Sequence, residues 1–261
     1  MPREIDEIPI ATIGEFFQRD FRGDFGALPP PETEWHCRLL FRGLADSRWA
    51  LETTLERFTK ETWRLTAYED RVLRCHAAFQ SHTGLHLPIN REKPVTLGHT
   101  EFPEGWLEFA VRLRHFGFPS PLLDWTRSRY VAAYFAFAEA AKADNVAIYA
   151  YIERAGAKSG AGGEPRIETI WPNLVTSPRH HTQQAEYTMA HDEQEFVRHQ
   201  EAFSRTLEGQ DLIKKYVLPA KERERTLEVL QSMNINAYSL FHDEAGLCQS
   251  LAIQHLLLKE K

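Results

Sequence analysis

Apolar positions along this chain change their period several times, and each change marks an element. From Leu122 to Ile152 (LLDWTRSRYVAAYFAFAEAAKADNVAIYAYI), Leu122 and Leu123 run into Asp124, Trp125 and Thr126; Val131, Ala132, Phe135, Ala138 and Ala141 then keep one helix face apolar. The run VAIYAYI that follows is β-branched and aromatic and has strand length. The stretch therefore reads as strand, polar turn, helix, strand. It places Asp124, Trp125 and Thr126 at a strand end where a helix begins.

The flanking pattern extends this reading. Ile10, Ile13, Phe16 and Phe17 have helical spacing within residues 10–21, and GDFGALPPPETE then breaks regular structure with glycines and prolines. WHCRLLFRG reads as a strand ending at Gly43, with Arg42 at its carboxyl end. Leu55, Phe58, Tyr68, Val72, Cys75 and Phe79 mark one or two amphipathic helices over residues 51–82. Residues 86–105, with Pro88, Pro94, Gly98, Pro103 and Gly105, read as an excursion, either surface filler or a lid over a site. WLEFAVRLRHFG is a helix with Gly117 as its stop.

After Ile152, RAGAKSGAGGEP is expected to be flexible and RIETIW to be a strand. SPRHHTQQAEYTMA carries a second polar cluster, Arg179, His180, His181, Gln183, Gln184 and Glu186; on a strand the two histidines would point to opposite faces. A helix within HDEQEFVRHQEAFSRTLEG, a strand LIKKYVLP and two helices, ERERTLEVLQSMN and DEAGLCQSLAIQHLLL around the link INAYSLF, complete the chain. The expected fold is α+β: a split, antiparallel-rich sheet from strands near 36–42, 121–125, 146–152, 167–171, 182–188 and 211–218, with helices packed around it. Alternating strands and helices also allow a parallel sheet, but no GxGxxG follows a strand, which argues against a dinucleotide-binding α/β domain. Residues 1–35 read as an N-terminal helix and loop extension to a main domain over 36–261.

Composition narrows the chemistry. The 261 residues are 43% hydrophobic, and 31 basic against 37 acidic side chains leave a net charge of −6. That balance exerts no global pull toward nucleic acid or anionic lipid; nucleic acid stays open as a partner of a local patch without being favoured. None of the 12 histidines falls in HExxH or another metal-ligand spacing, so no metal is expected. Cys37, Cys75 and Cys248 are odd in number and lack a CxxC pair, which suggests buried, small apolar roles. No apolar run approaches the roughly 18 residues of a membrane span, and the acidic start MPREIDEIPIA lacks the order of a secretion signal, so no membrane and a cytoplasmic location are expected.

Four stretches, in order, resemble the FRG-domain family. Phe41, Arg42 and Gly43 are the name-giving motif, continued from Leu44 to Trp49 by a polar turn and a tryptophan. RLRHFGFPSPLLDWTRSRYVAAYFAF is similar to the family's central motif, SPRHHTQQAEYT resembles its third, and INAYSLFHDEAGL its ending. The resemblance covers roughly 36–250 and makes 36–261 an FRG-like domain. Ala185 stands where the family usually has glycine, and Ser120 and Pro121 where threonine and arginine are more usual.

The same motifs have the order of the ADP-ribosyltransferase catalytic core: an arginine on an early strand, a Ser/Thr motif followed by a helix of small residues and phenylalanine, then a glutamate on a later strand. This remote resemblance implies NAD as substrate, no metal, and an unknown macromolecular or small-molecule acceptor. Arg42 and Gly43 would serve the nicotinamide-side phosphate and ribose; the competing role for Arg42 is a structural tie to Asp124. Thr126 would bond the ribose or cap the next helix, and Trp125 would offer a flat face for nicotinamide or fill the core. Glu186 would stabilise an oxocarbenium-like state, with Gln184 two residues earlier on the same strand face; otherwise Glu186 is an exposed side chain on an edge strand. His115 would contact a phosphate or cap its helix, and Arg179 completes the set.

The leading functional expectation is therefore an NAD-consuming, ADP-ribosyltransferase-like enzyme. A non-catalytic nucleotide- or nucleic-acid-binding module built on the same pocket is the alternative, because binding needs Arg42 and His115 but no carboxylate at the ribose. A nuclease using His115 and Asp124 is weaker, since clustered carboxylates for a metal are missing.

Overall fold

The computed structural model describes residues 4–26, 38–97, 100–153, 165–170, 174–192, 194–205 and 211–258. The strands are β1 (Asp6–Pro9), β2 (Leu39–Leu44), β3 (Asn90–Leu97), β4 (Thr100–Glu104), β5 (Leu122–Thr126), β6 (Asn145–Glu153), β7 (Arg166–Ile170), β8 (Ala185–His191) and β9 (Asp211–Pro219). The helices are α1 (Ile13–Gln18), α2 (Thr54–Phe58), α3 (Leu65–Thr83), α4 (Trp106–His115), α5 (Arg129–Ala138), α6 (Pro178–Thr182), α7 (His199–Arg205), α8 (Arg223–Ser232), α9 (Ala237–Phe241) and α10 (Glu244–Ala252). Seven strands form one mixed sheet in the order β1-β9-β6-β2-β5-β8-β7, while β3 and β4 pair as a separate antiparallel hairpin. Within the large sheet β1 runs parallel to β9 and the other pairs are antiparallel. The α+β expectation with an antiparallel-rich sheet is met.

Both faces of the sheet are covered, which explains why β6 reads as a continuous apolar run: Val146 to Ile152 are all buried. On one face, Phe41, Val146, Ile148, Ala150, Tyr216 and Leu218 pack under α1, α5 and α8. Farther along that face, Leu122, Ile170, Tyr187 and Met189 pack under α3 and α4. The opposite face buries Leu40, Leu123, Trp125, Tyr149, Tyr151 and Ala190 against Phe203 of α7. Two helical groups thus share one face, and the boundary between them falls where β2 meets β5.

That boundary is a seam. β2 follows β6 through a continuous register from Leu39↔Ile152 to Leu44↔Ala147, yet it meets β5 at the single pair Phe41↔Thr126. The strands diverge beyond this pair, and the sheet opens between them.

Several sequence expectations are corrected. The strand placed at 182–188 begins at Ala185, because Pro178 at the first helical turn starts α6, and His180 and His181 lie on that helix. The excursion at 86–105 contains the β3–β4 hairpin, whose prolines sit at an irregular register, and β1 was not anticipated at all. The long helix within 191–209 is shorter: residues up to His191 continue β8 and α7 starts at His199. The link INAYSLF contains α9, started by a capping box between Asn236 and Ser239. Cys75 is half-buried and Cys248 exposed, so neither fills the buried role expected. Cys37 and the whole glycine-rich stretch 154–164, expected to be flexible, lie outside the described residues.

Candidate functional site

At the seam lies a cavity of about 470 Å³, lined by residues of β2, α2, α4, β5, α5, α6, β8, α9 and α10. It opens through the gap between β2 and β5, so consecutive residues of both strands line it, Phe41 to Leu44 and Asp124 to Thr126. Leu123 and Trp125 belong to the core of one face, so Asp124 and Thr126 turn to the other, whereas Arg42 shares the face of Leu40, Leu44 and Trp125. The Trp125 ring is buried against Tyr151 and Phe203, and its indole N–H donates to Thr188 Oγ1 at 2.9 Å. Trp125 thus borders the cavity, but its ring is packed as a core side chain.

Asp124 is the electrostatic centre of the floor. Both its carboxylate oxygens accept from Arg114 of α4, through Nε and Nη2. Arg114 Nη1 also donates to Thr54 Oγ1 at 2.8 Å, and that hydroxyl accepts from the Ser120 N–H at 2.9 Å. Burial opposes the charge of Asp124, but the Arg114 guanidinium, with Arg42 behind it, outweighs that cost and holds the carboxyl below its ordinary value. Burial likewise opposes the charge of Arg114, and Asp124 more than restores it.

Arg42 stands differently. Its Nη1 donates to the Asp124 carbonyl at 2.8 Å, but the Asp124 carboxylate is 3.9 Å away and already taken by Arg114. Arg42 Nε is buried with no hydrogen-bond partner among the described residues. Burial lowers its pKa to about 10, with Asp124 offsetting only part of that effect. The tie between Arg42 and Asp124 expected from sequence thus exists mainly through a carbonyl, and Arg114 is the partner that the sequence reading missed. A signal was present: Arg114 follows Trp106 and Ala110 at a four-residue spacing, on the buried side of α4, where an arginine needs an acid.

Gly43 brings α5 against β2. A Cβ there would lie 2.0 Å from the Ala132 carbonyl oxygen and 2.6 Å from the Ala136 nitrogen, so only glycine allows this approach. Thr126 Oγ1 donates to the Gln183 carbonyl at 2.7 Å and accepts from the Ser128 N–H at 3.1 Å. The N-cap of α5 is Ser128, whose hydroxyl accepts from Val131, so Thr126 braces the turn and is not the cap.

His115 lines the cavity with both ring nitrogens engaged, Nδ1 with Ser177 Oγ at 2.6 Å and Nε2 with the Tyr187 hydroxyl at 2.9 Å. Burial lowers its pKa to about 4, so the ring is neutral at ordinary pH and presents no charge to a phosphate. Arg179 is a clamp: it donates to the carbonyls of His115 at 2.8 Å and Phe241 at 3.2 Å, pairs with Asp243, and lies over the rings of Phe116 and Phe241. It fixes α9 as one wall of the cavity.

Gln184 and Glu186 are not among the lining residues, whereas Gln183 and Ala185 are. Gln184 has φ of 48° in the turn before β8, so it is not on the strand. Glu186 pairs across the sheet with Trp125 and therefore shares its face. It is 1% exposed and bonded to Arg38 at 2.9 Å, with Arg127 at 3.5 Å. Burial raises its pKa despite these partners. β8 lies between β5 and β7, so the edge-strand alternative for Glu186 is also excluded. The structure brings together Arg42, Gly43, His115, Asp124, Thr126 and Arg179; it sets Gln184 and Glu186 apart from them.

Among the described residues, no group of three or more His, Cys, Asp or Glu is placed to hold a metal ion, and no helix is long and apolar enough to cross a membrane. No curated protein and no solved structure matches this chain. The FRG-domain family model matches residues 37–145, the span from the strand bearing Arg42 through the seam and α5 to the start of β6, so the chain is similar to the FRG-domain family over that span.

Proposed function

We propose that the cavity at the seam binds a nucleotide, with Arg42 as the contact to its phosphate. The observation that carries this reading is the incomplete pairing of Arg42: a desolvated guanidinium holds a carbonyl while the nearby carboxylate serves Arg114. A phosphate oxygen would supply the countercharge that burial withholds. Arg57 lines the same cavity and brings a second guanidinium, whose Nη1 donates to the Glu52 carbonyl at 2.9 Å. Trp49, 54% exposed at the rim, offers an aromatic face of the kind on which a base stacks.

The test is calorimetric titration with nucleoside diphosphates against the wild type and Arg42→Gln, with melting temperatures to confirm folding. A charge-assisted hydrogen bond to phosphate corresponds to a loss of about tenfold to a hundredfold in affinity. Absence of binding by the wild type, or equal binding by Arg42→Gln, would overturn the reading.

Cleavage of NAD is the second reading. It is favoured by Arg42, Thr126 and Glu186 lying on three adjacent strands, β2, β5 and β8, in the order that the transferase resemblance requires. It needs Glu186 to leave Arg38 and reach the cavity. Nicotinamide release from NAD that falls by orders of magnitude in both Arg42→Gln and Glu186→Gln would support it; no release above background would remove it and leave binding alone.

A further inference from the structure

The cavity also holds polar groups that the phosphate contact does not use, and they cluster at the carboxyl end of α5. Tyr134 is 2% exposed, yet its hydroxyl has no hydrogen-bond partner among the described residues. The Glu139 carboxylate is near enough to help raise the Tyr134 pKa to about 12, although burial is the larger cause. Glu139 is the C-cap residue of α5, is exposed, and its carboxylate forms no hydrogen bond or ion pair among the described residues. Gln249 of α10, whose side chain is likewise unengaged, lines the cavity with them. Phe135 and Phe241, 6.1 Å apart in an edge arrangement, supply the apolar wall beside these groups.

A carboxylate only accepts, and its two oxygens suit two donors side by side. Among the common bases, guanine alone presents adjacent ring N–H and amino donors; adenine and cytosine set an acceptor beside their amino group, and uracil has one ring N–H between two carbonyls. A hydroxyl that can donate, such as that of Tyr134, complements the guanine carbonyl. Resting on the nucleotide reading above, we infer that this end of the cavity selects guanine, with Glu139 accepting from the base edge and Tyr134 donating to its carbonyl.

The experiment is titration of the full chain with GDP, IDP, ADP, CDP and UDP, repeated with Glu139→Gln and Tyr134→Phe, each checked for an unchanged melting temperature. GDP is expected to bind at least about tenfold more tightly than ADP, CDP or UDP, and IDP, which lacks the amino donor, to fall between. Glu139→Gln should erase the preference by lowering GDP affinity to about that of ADP. Equal binding of all five diphosphates would overturn guanine selection and leave the nucleotide reading standing. An equal loss of every diphosphate in Glu139→Gln would also overturn it, since the carboxylate would then be reading the shared ribose. If none of the five binds, the nucleotide reading falls and base selection with it.

Discussion

Asp124 and Arg114 show how far a single residue can be understood from its type. The sequence singled out Asp124 as a polar residue at a strand end where a helix begins, and it does line the cavity. Its partner came from α4, ten residues earlier, and no local pattern joins the two. Breaking such a pair leaves the other charge desolvated. Asp124→Asn should therefore destabilise the fold by about 3 kcal/mol, the low end for a buried pair because the carboxylate is partly solvated. Urea unfolding measures this, and a change under about 1 kcal/mol would show that Arg114 finds water or another acceptor. Glu186 teaches the opposite lesson: residue type suggested catalysis, whereas burial and Arg38 make it one half of an ion pair that does not line the cavity.

At the scale of elements, the seam depends on contacts that tolerate no extra atoms. Gly43→Ala would drive a methyl into the α5 backbone, which can yield only by moving the helix off β2. A loss of about 3 kcal/mol is expected, together with a shift in the fluorescence of rim Trp49. A stable Gly43→Ala protein with unchanged ligand binding would show that this approach is not needed. The start of α5 offers a milder check: Ser128→Ala removes its cap and should cost about 1 kcal/mol, whereas Thr126→Ser keeps the Oγ that braces Gln183 and should cost less. Elements with a strong period, such as α4, α5 and β9, were legible because one side of each must be apolar to be buried, and β6 because both its faces are covered. The start of β8 was not, because a helical turn and a strand end both accept the polar run RHHTQQ, and packing under α9 decides between them through Thr182 and Gln183, which donate to the Leu240 carbonyl.

Across the whole molecule, buried neutral histidines link stability to pH. Burial holds His115 at about 4 and His199 at about 3, both below the ordinary 6.5. The folded state therefore binds fewer protons than the unfolded one between these values, so the contribution is full above about pH 6.5 and declines as pH falls toward 4. Each histidine adds a slope of about 1.4 kcal/mol per pH unit in that window. The urea midpoint should drop steeply from pH 6.5 to 4.5, and His199→Asn should roughly halve the slope; a flat profile would mean that these rings protonate without unfolding. Asp124 acts in the same sense at lower pH, its contribution full above 3.8 and lost as pH falls further.

The sequence by itself determined the α+β class and most of the strands, and it grouped Arg42, His115, Asp124, Thr126 and Arg179 only through the family resemblance. The class and the strands follow from local periodicity, because the sides of each element that are buried must be apolar. Only the tertiary structure decided that Arg114 takes the carboxylate of Asp124, leaving Arg42 underpaired, and that Gln183 and Ala185, in place of Gln184 and Glu186, line the cavity. The physical reason is that these outcomes are set by packing between elements many residues apart, as in the pairing of α4 with β5 and of β5 with β8, which no local pattern encodes.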